Sequence, residues 1–441
     1  MQRDLKKTIT IINEISPSFC AAKWYNATIW LNNGRTASCH LPLAHSIPTD
    51  NLKSNPSELH NTEYKKQRRL EMLTGVRCDE CAYCWTVEDK RDKDVYSDRV
   101  YKSVIYSDED IKKISEIAMS DLDPKTLEIS FDNLCNLSCS YCNAEFSSTW
   151  ASDIKDNGKY PLMNTSGGMT YHNDGSLAAP YGIKNENNPY IEAFFQWFHS
   201  SLKNNLEELR VTGGEPTRSP SFWKLLDECQ DVNFKFAVNS NMIMDEDRLI
   251  KFVESTKKFD TFDLYTSCEG TGEHAEFVRS GLNYSLWKRN LWYFAKNAKY
   301  KSIHIMCTLS ALSIWTLTEF MDEIIEMRVQ LQKMQFYMSF NILRYPSFQN
   351  LNILPLEIKL ELSKKINSWL KNSQHLTESE INQIERLETY LRTVDRSYED
   401  KDNLEDKRKD FKIFLLEYSK RNKKDYKKIY DENFIEWIEK I

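Results

Sequence analysis

From residue 126 to about 343, short apolar runs alternate with longer stretches in which apolar residues recur every three or four positions. The runs 127–131, 208–212, 234–238, 261–266, 302–307 and 336–341 predict buried strands. Within 191–202, Ile191, Phe194, Phe195, Phe198 and Leu202 share one helix face. Repeated strand–helix units predict parallel strands covered by helices, which is an α/β fold. Segment 152–190 interrupts the pattern with Asn157-Gly158, Gly167-Gly168, Asn173-Asp-Gly175 and Asn187-Asn-Pro189. Such turn chemistry forbids long regular elements. The segment is read either as a wall or lid beside a neighbouring site or as a disordered insertion.

The two ends differ from the middle. In 24–40, Tyr25, Ala27, Ile29 and Leu31 alternate with Trp24, Asn26, Thr28 and Trp30, and Asn32-Asn33-Gly34 supplies a turn, so a β-hairpin is predicted. Runs 360–370 and 411–418 have helical period, residues 398–410 carry mixed charge as a solvated helix face or linker, and 420–428 are basic. The predicted organisation is a small N-terminal domain over 1–120, a strand–helix domain over 121–350 and a helical cap over 351–441.

A chain of 441 residues is long enough for a large core and a smaller domain. Its formal net charge of −6 gives no global attraction to nucleic acid or anionic membrane. No apolar run reaches the roughly 18 residues of a membrane span. Met1-Gln-Arg-Asp-Leu-Lys-Lys-Thr8 lacks the apolar core of a signal peptide. Eleven Cys without an export signal predict a reducing, cytoplasmic setting in which thiolates are free for metal.

The sharpest chemical signal is Cys135, Cys139 and Cys142, spaced C-x3-C-x2-C just after the first strand. Three thiolates can hold three irons of a [4Fe-4S] cube and leave the fourth open; zinc is the other metal such triplets take. Tyr141 would shield the cluster on one side. After the second strand comes Gly213-Gly214-Glu215-Pro216, in which the glycines admit a close ligand and Glu215 can accept an ammonium group. Polar residues also follow later strands, Asn239-Ser240-Asn241 and Ser267-Cys268-Glu269, and Arg279 lies farther on. In parallel barrels chemistry collects at these strand ends.

Together the Cys triplet and Gly-Gly-Glu-Pro closely resemble the radical S-adenosylmethionine (SAM) superfamily. The resemblance implies a partial (β/α)6 TIM-like barrel. It implies a [4Fe-4S] cluster on Cys135, Cys139 and Cys142, with the SAM amino group at Gly213, Gly214, Glu215 and Pro216. Asn239, Ser240, Asn241, Ser267 or Glu269 would bind ribose, and Arg279 would pair with the SAM carboxylate as a planar fork. Cys229 and Cys307 read as buried apolar residues, and Cys268 as either a core or a catalytic thiol.

A second constellation lies near the N-terminus. Cys20, Gly34 and Cys39 are spaced C-x13-G-x4-C, and Cys78-Asp-Glu-Cys81-Ala-Tyr-Cys84 holds two overlapping C-x2-C pairs. Separated Cys pairs signal a metal site. The layout resembles the twitch and SPASM auxiliary-cluster domains, here placed ahead of the barrel, and the likeness spans roughly residues 18–355. It implies a second [4Fe-4S] cluster on Cys20, Cys39, Cys81 and Cys84, with Cys78 a spare or alternative ligand. Structural zinc would use the same residues, and His40 and His45 are further candidate ligands.

These expectations amount to a radical SAM enzyme. An external donor such as flavodoxin or ferredoxin would supply the electron, and the substrate, a peptide, sugar, nucleotide or metabolite, stays open. No leader-peptide-binding domain is recognisable. The competing reading is a non-enzymatic zinc adaptor or nucleic-acid-binding protein, drawn from the Cys pairs and the basic 420–428 stretch. The acidic balance stands against it.

Overall fold

All six apolar runs form strands. The computed structural model describes residues 4–90, 95–117, 119–173, 188–332, 335–393 and 403–441. In chain order the strands are β1 (Asn26–Trp30), β2 (Arg35–Ala37), β3 (His45–Ser46), β4 (Thr126–Ser130), β5 (Ser138–Cys139), β6 (Glu208–Thr212), β7 (Lys235–Ser240), β8 (Phe262–Ser267), β9 (Arg279–Ser280), β10 (Ser302–Leu309) and β11 (Phe336–Ile342). The fold is mixed α/β and its longer strand pairings are parallel. Among the described residues no helix is long and apolar enough to cross a membrane.

The chain divides into two packing units. The first comprises the described residues up to Asp132, those of 181–212, and Cys229–Phe236; the second comprises the described residues of 133–180, Gly213–Glu228 and Ala237–Ile441. In the first unit the strand order is β3-β2-β1-β4-β6. Strand β1 pairs antiparallel with β2 and parallel with β4, so the hairpin continues the sheet. The hairpin begins two residues later than its alternation predicts. Trp24 and Tyr25 close a helical turn, Ala22–Tyr25, and the buried His60 ring bonds the Trp24 carbonyl at 2.7 Å. At the turn Gly34 has φ +63°, and the Tyr190 ring occupies the space a Cβ would need. The predicted helix 191–202 extends over Pro189–Trp197 and widens into a π-turn at Phe198–Leu202. It packs Phe194 and Phe195 against Phe131.

In the second unit β7, β8, β10 and β11 follow one another across the sheet, with β8–β10 and β10–β11 parallel. Alternating burial along β10 reflects its two faces. The interrupting segment is not loose where it is described. A helix covers Ser148–Asn157, and Tyr160, Met163 and Tyr171 are buried. The rest of the predicted loop, 174–187, lies outside the described residues, as do 398–402 of the mixed-charge run. The C-terminal region forms helices Leu356–Asn372, Glu378–Arg392, Leu404–Arg421 and Glu432–Lys440.

One buried carboxylate ties several of these elements together. Glu380 meets Arg328 at 2.6 Å with both side chains essentially sealed from solvent. It also accepts the Met338 N–H of β11 at 2.8 Å and closes the capping box with Thr377. Removing one partner of a buried pair strands the other charge. Glu380→Ala is therefore expected to cost about 3–5 kcal/mol, read as a lower midpoint in urea denaturation.

Candidate functional site

Cys135, Cys139 and Cys142 share the loop that leaves β4, and external bonds fix that loop. The carbonyls of Ser138, Cys139 and Ser140 each accept from an aromatic side chain: Tyr418 Oη at 2.7 Å, Trp150 Nε1 at 2.9 Å and Tyr171 Oη at 2.7 Å. Gln349 Nε2 adds a second bond to Ser140 O at 2.8 Å. The three rings cluster with Tyr160 and Phe414. Ser147, the N-cap of helix Ser148–Asn157, donates to the Leu137 carbonyl at 2.7 Å. On the other edge β5 pairs with β9, setting Cys139 opposite Arg279.

The three thiols are near one another and desolvated. Burial pushes Cys135 up to about 12 and raises Cys139 and Cys142, and Cys135 and Cys142 each feel Cys139 as a neighbouring charge. The Leu137 N–H points at Cys135 Sγ, 3.4 Å away.

The Gly-Gly-Glu-Pro turn is bonded to this loop. Glu215 N–H donates to the Leu134 carbonyl at 2.5 Å. Gly214 lies so close to the Asn133–Leu134 backbone that a Cβ would overlap it. Glu215 itself is only 1 % exposed. Its Oε1 accepts from Thr217 N–H, Thr217 Oγ1 and Ser240 Oγ, at 3.1, 2.7 and 2.8 Å, and its Oε2 from Asn241 N–H at 2.6 Å. Burial pushes the carboxyl up, and those donors work against it. Asn241 further bonds Asn136 at 2.9 Å, so Ser240 and Asn241 are engaged inwards. Asn239 Oδ1 is buried with no hydrogen-bond partner, as is Ser140 Oγ. Gly213 and Pro216 flank Glu215 in the same turn, and half-buried Ser267 ends β8.

Arg279 is no surface residue. Its guanidinium grips Glu269, with Nε to Oε2 at 2.6 Å and Nη2 to Oε1 at 3.2 Å. Tyr141 donates to the same Glu269 Oε1 at 2.6 Å, and its ring lies 5.5 Å from the guanidinium carbon. Tyr141 therefore touches this ion pair, which spacing alone did not reveal.

In the first unit, Cys20, Cys39, Cys81 and Cys84 line one small cavity together with Lys23, Trp85, Arg99 and Lys102. Burial pushes Cys81 and Cys84 up to about 12 and raises Cys39. Cys78 is buried and does not line the cavity, though it acts on Cys81 as a neighbouring charge; its thiol lies against the Arg68 carbonyl at 3.5 Å. His40 stands near Asp98 at 3.8 Å; His45 bonds Thr62 at 2.9 Å, packs at a tilt against the Tyr64 ring and is pushed by burial down to about 3. Neither ring lines the cavity.

Both cysteine sets offer the soft thiolate donors that iron–sulfur clusters take. Among the described residues no three or more His, Cys, Asp or Glu side chains converge closely enough to hold one metal ion. Thiols bound to separate irons of a cube stand farther apart than ligands sharing one ion.

The other candidates are structural in their surroundings. Cys229, Cys268 and Cys307 are fully buried, and burial pushes Cys268 up to about 12. The basic stretch is largely paired: Arg421 with Asp153 and Glu417, Lys420 with Glu417, Lys424 with Glu276 and Lys427 with Glu439. The sequence reading missed Thr217, Asn136, Trp150, Tyr171, Gln349 and Tyr418. Thr217 adjoins the Gly-Gly-Glu-Pro motif and was within reach, whereas nothing local marks Tyr418, 280 positions from its partner.

No family model matches the chain, and no curated protein matches it. Solved structures match at low similarity. Streptococcus suis SuiB bound to S-adenosylmethionine aligns at 14% identity over 71% of this chain and 60% of that one, with a TM-score of 0.36. Native anSMEcpe with bound AdoMet and Cp18Cys peptide aligns at 15% identity over 56% and 60%, with a TM-score of 0.33. TYW1 with a lysine-pyruvate adduct bound aligns at 15% identity over 56% and 72%, with a TM-score of 0.28. The chain thus spans about three fifths of the length of the first two.

The contact at Gly214 is testable. Gly214→Ala forces backbone apart from backbone, and overpacking of this kind costs about 1–3 kcal/mol. The expected result is faster amide hydrogen exchange across Asn133–Asn143, with β10 and β11 unaffected.

Proposed function

We propose that the chain is a radical SAM enzyme: a partial (β/α)6 barrel with an N-terminal twitch-like domain, a SAM-binding [4Fe-4S] cluster on Cys135, Cys139 and Cys142, and an auxiliary [4Fe-4S] cluster on Cys20, Cys39, Cys81 and Cys84. The observation that carries this reading is the bonding of the cysteine loop to the Gly-Gly-Glu-Pro turn, through Glu215 N–H to Leu134 O and the close approach of Gly214. When bound, the open-iron cluster supplies the electron that splits SAM into methionine and a 5′-deoxyadenosyl radical, which takes hydrogen from the substrate.

The chain's own residues would bind and orient. Glu215, fixed by Thr217, Ser240 and Asn241, keeps Oε2 with a single protein donor and so retains acceptor capacity for the SAM ammonium. Asn239 Oδ1, buried and unpartnered, is the strand-end group available to a ribose hydroxyl. Tyr141 and the aromatic wall around Trp150 exclude water from the loop. The lining of the first unit's cavity by the four expected cysteines, with Cys78 outside that lining, supports the auxiliary ligand set.

Anaerobic reconstitution should load about seven to eight irons per chain, four for each cube. Changing Cys135, Cys139 and Cys142 together to Ala should abolish reductive cleavage of SAM while about four irons stay bound. Changing Cys20, Cys39, Cys81 and Cys84 should remove the other four and spare some cleavage. Zinc without iron in the reconstituted protein, or 5′-deoxyadenosine from the first variant, would refute the assignment.

A further inference from the structure

Arg279 presents a third donor direction that the Glu269 pair does not use. With Nε and Nη2 on Glu269, Nη1 is directed at Cys139 Sγ, 3.5 Å away and within hydrogen-bond range of sulfur. The β5–β9 ladder sets the two residues directly opposite, so the backbone fixes the approach. Glu269 is held in turn by the Tyr141 hydroxyl at 2.6 Å. Arg279 is 5 % exposed and Cys139 8 % exposed, so water competes little for the contact. A planar guanidinium clamped on one side by a carboxylate has its remaining N–H groups aimed rather than mobile.

We infer that Arg279 is a positioning residue for the thiolate of Cys139, donating a hydrogen bond to that sulfur and thereby raising the reduction potential of the cluster proposed for this loop. The inference rests on the cluster reading above and gives Arg279 a task other than binding the SAM carboxylate. A reduced cluster carries one more negative charge than an oxidised one, and hydrogen bonds to its sulfurs stabilise the added charge. Glu269 already balances the guanidinium's charge, so the directed N–H, not net charge, is what the sulfur gains. The practical consequence is an easier first electron from a donor of modest reducing power.

The test removes the pair as a unit. Arg279→Met alone would leave Glu269 buried and unpaired and could unfold the site. The double variant Arg279→Met with Glu269→Gln keeps the local net charge unchanged and leaves Tyr141 an acceptor. Wild type and double variant are reconstituted anaerobically, iron is counted, SAM affinity is measured by equilibrium dialysis, and the midpoint potential of the SAM-sensitive EPR signal is titrated. The expected result is equal iron, SAM affinity within about twofold and a lower midpoint potential in the variant. An unchanged potential in the iron-loaded double variant overturns the inference, as does an unchanged potential accompanied by loss of SAM binding, which would return Arg279 to the SAM carboxylate. A wild-type chain that takes up no iron overturns the cluster reading itself, and this inference falls with it.

Discussion

Burial holds the three thiols of the cysteine loop in their neutral form, and a charge on Cys139 would make Cys135 and Cys142 harder still to ionise. The conformation of the loop is imposed from outside. Here the imposition acts on the backbone. Three consecutive carbonyls, Ser138 to Ser140, are bonded outward to Tyr418, Trp150 and Tyr171, while the opposite edge is laced to Arg279 and Ser280. Each donor is an aromatic side chain with a polar tip, so the group that satisfies the carbonyl also brings apolar area that excludes water. The buried aromatic cluster and the close seat of the Gly-Gly-Glu-Pro turn both fix the backbone that carries the three thiols.

The two cysteine sets meet the cost of burial in different ways. In the second unit a neutral pair, Arg279 with Glu269, stands beside one thiol. In the first unit the cavity is bordered by Lys23, Arg99 and Lys102 together with Asp98, and Lys23 and Arg99 are themselves paired with Glu80 and Glu88. Deeper in that unit Lys65 bonds Thr36 at 2.7 Å, the Ala37 carbonyl and His60, all of them uncharged groups or a ring nitrogen. Burial holds its ammonium form well below the ordinary range, and Cys39 as an anion pulls the other way. An ionised Cys39 would therefore favour the charged form of Lys65.

Strand placement was legible in the sequence because apolar period and strand burial are the same physical fact. The runs at 208–212 and 302–307 became β6 and β10 almost residue for residue. The hairpin start was misplaced because Trp24 and Tyr25 continue the alternation by residue type, while a bond from His60, which is 36 positions away, settles Trp24 in a helical turn. At the site, Cys and Gly-Gly-Glu-Pro spacings were legible since their chemistry is local. The work of Ser240 and Asn241 was not, because a polar turn looks the same whether it faces a ligand or Glu215. The contacts of Arg279 were not legible for the same reason: its environment comes from Glu269 and Cys139, and no local pattern encodes that contact.

The Tyr418 bond to Ser138 also sets an order of events in synthesis. The two residues are separated by 280 positions. A ribosome emits the cysteine loop long before the helix that steadies it, at roughly 5–20 residues per second. For that interval of some tens of seconds the three thiols ride on a backbone that lacks one of its holders. The hold on the Ser138 carbonyl is therefore completed only once the helix Leu404–Arg421 has been made.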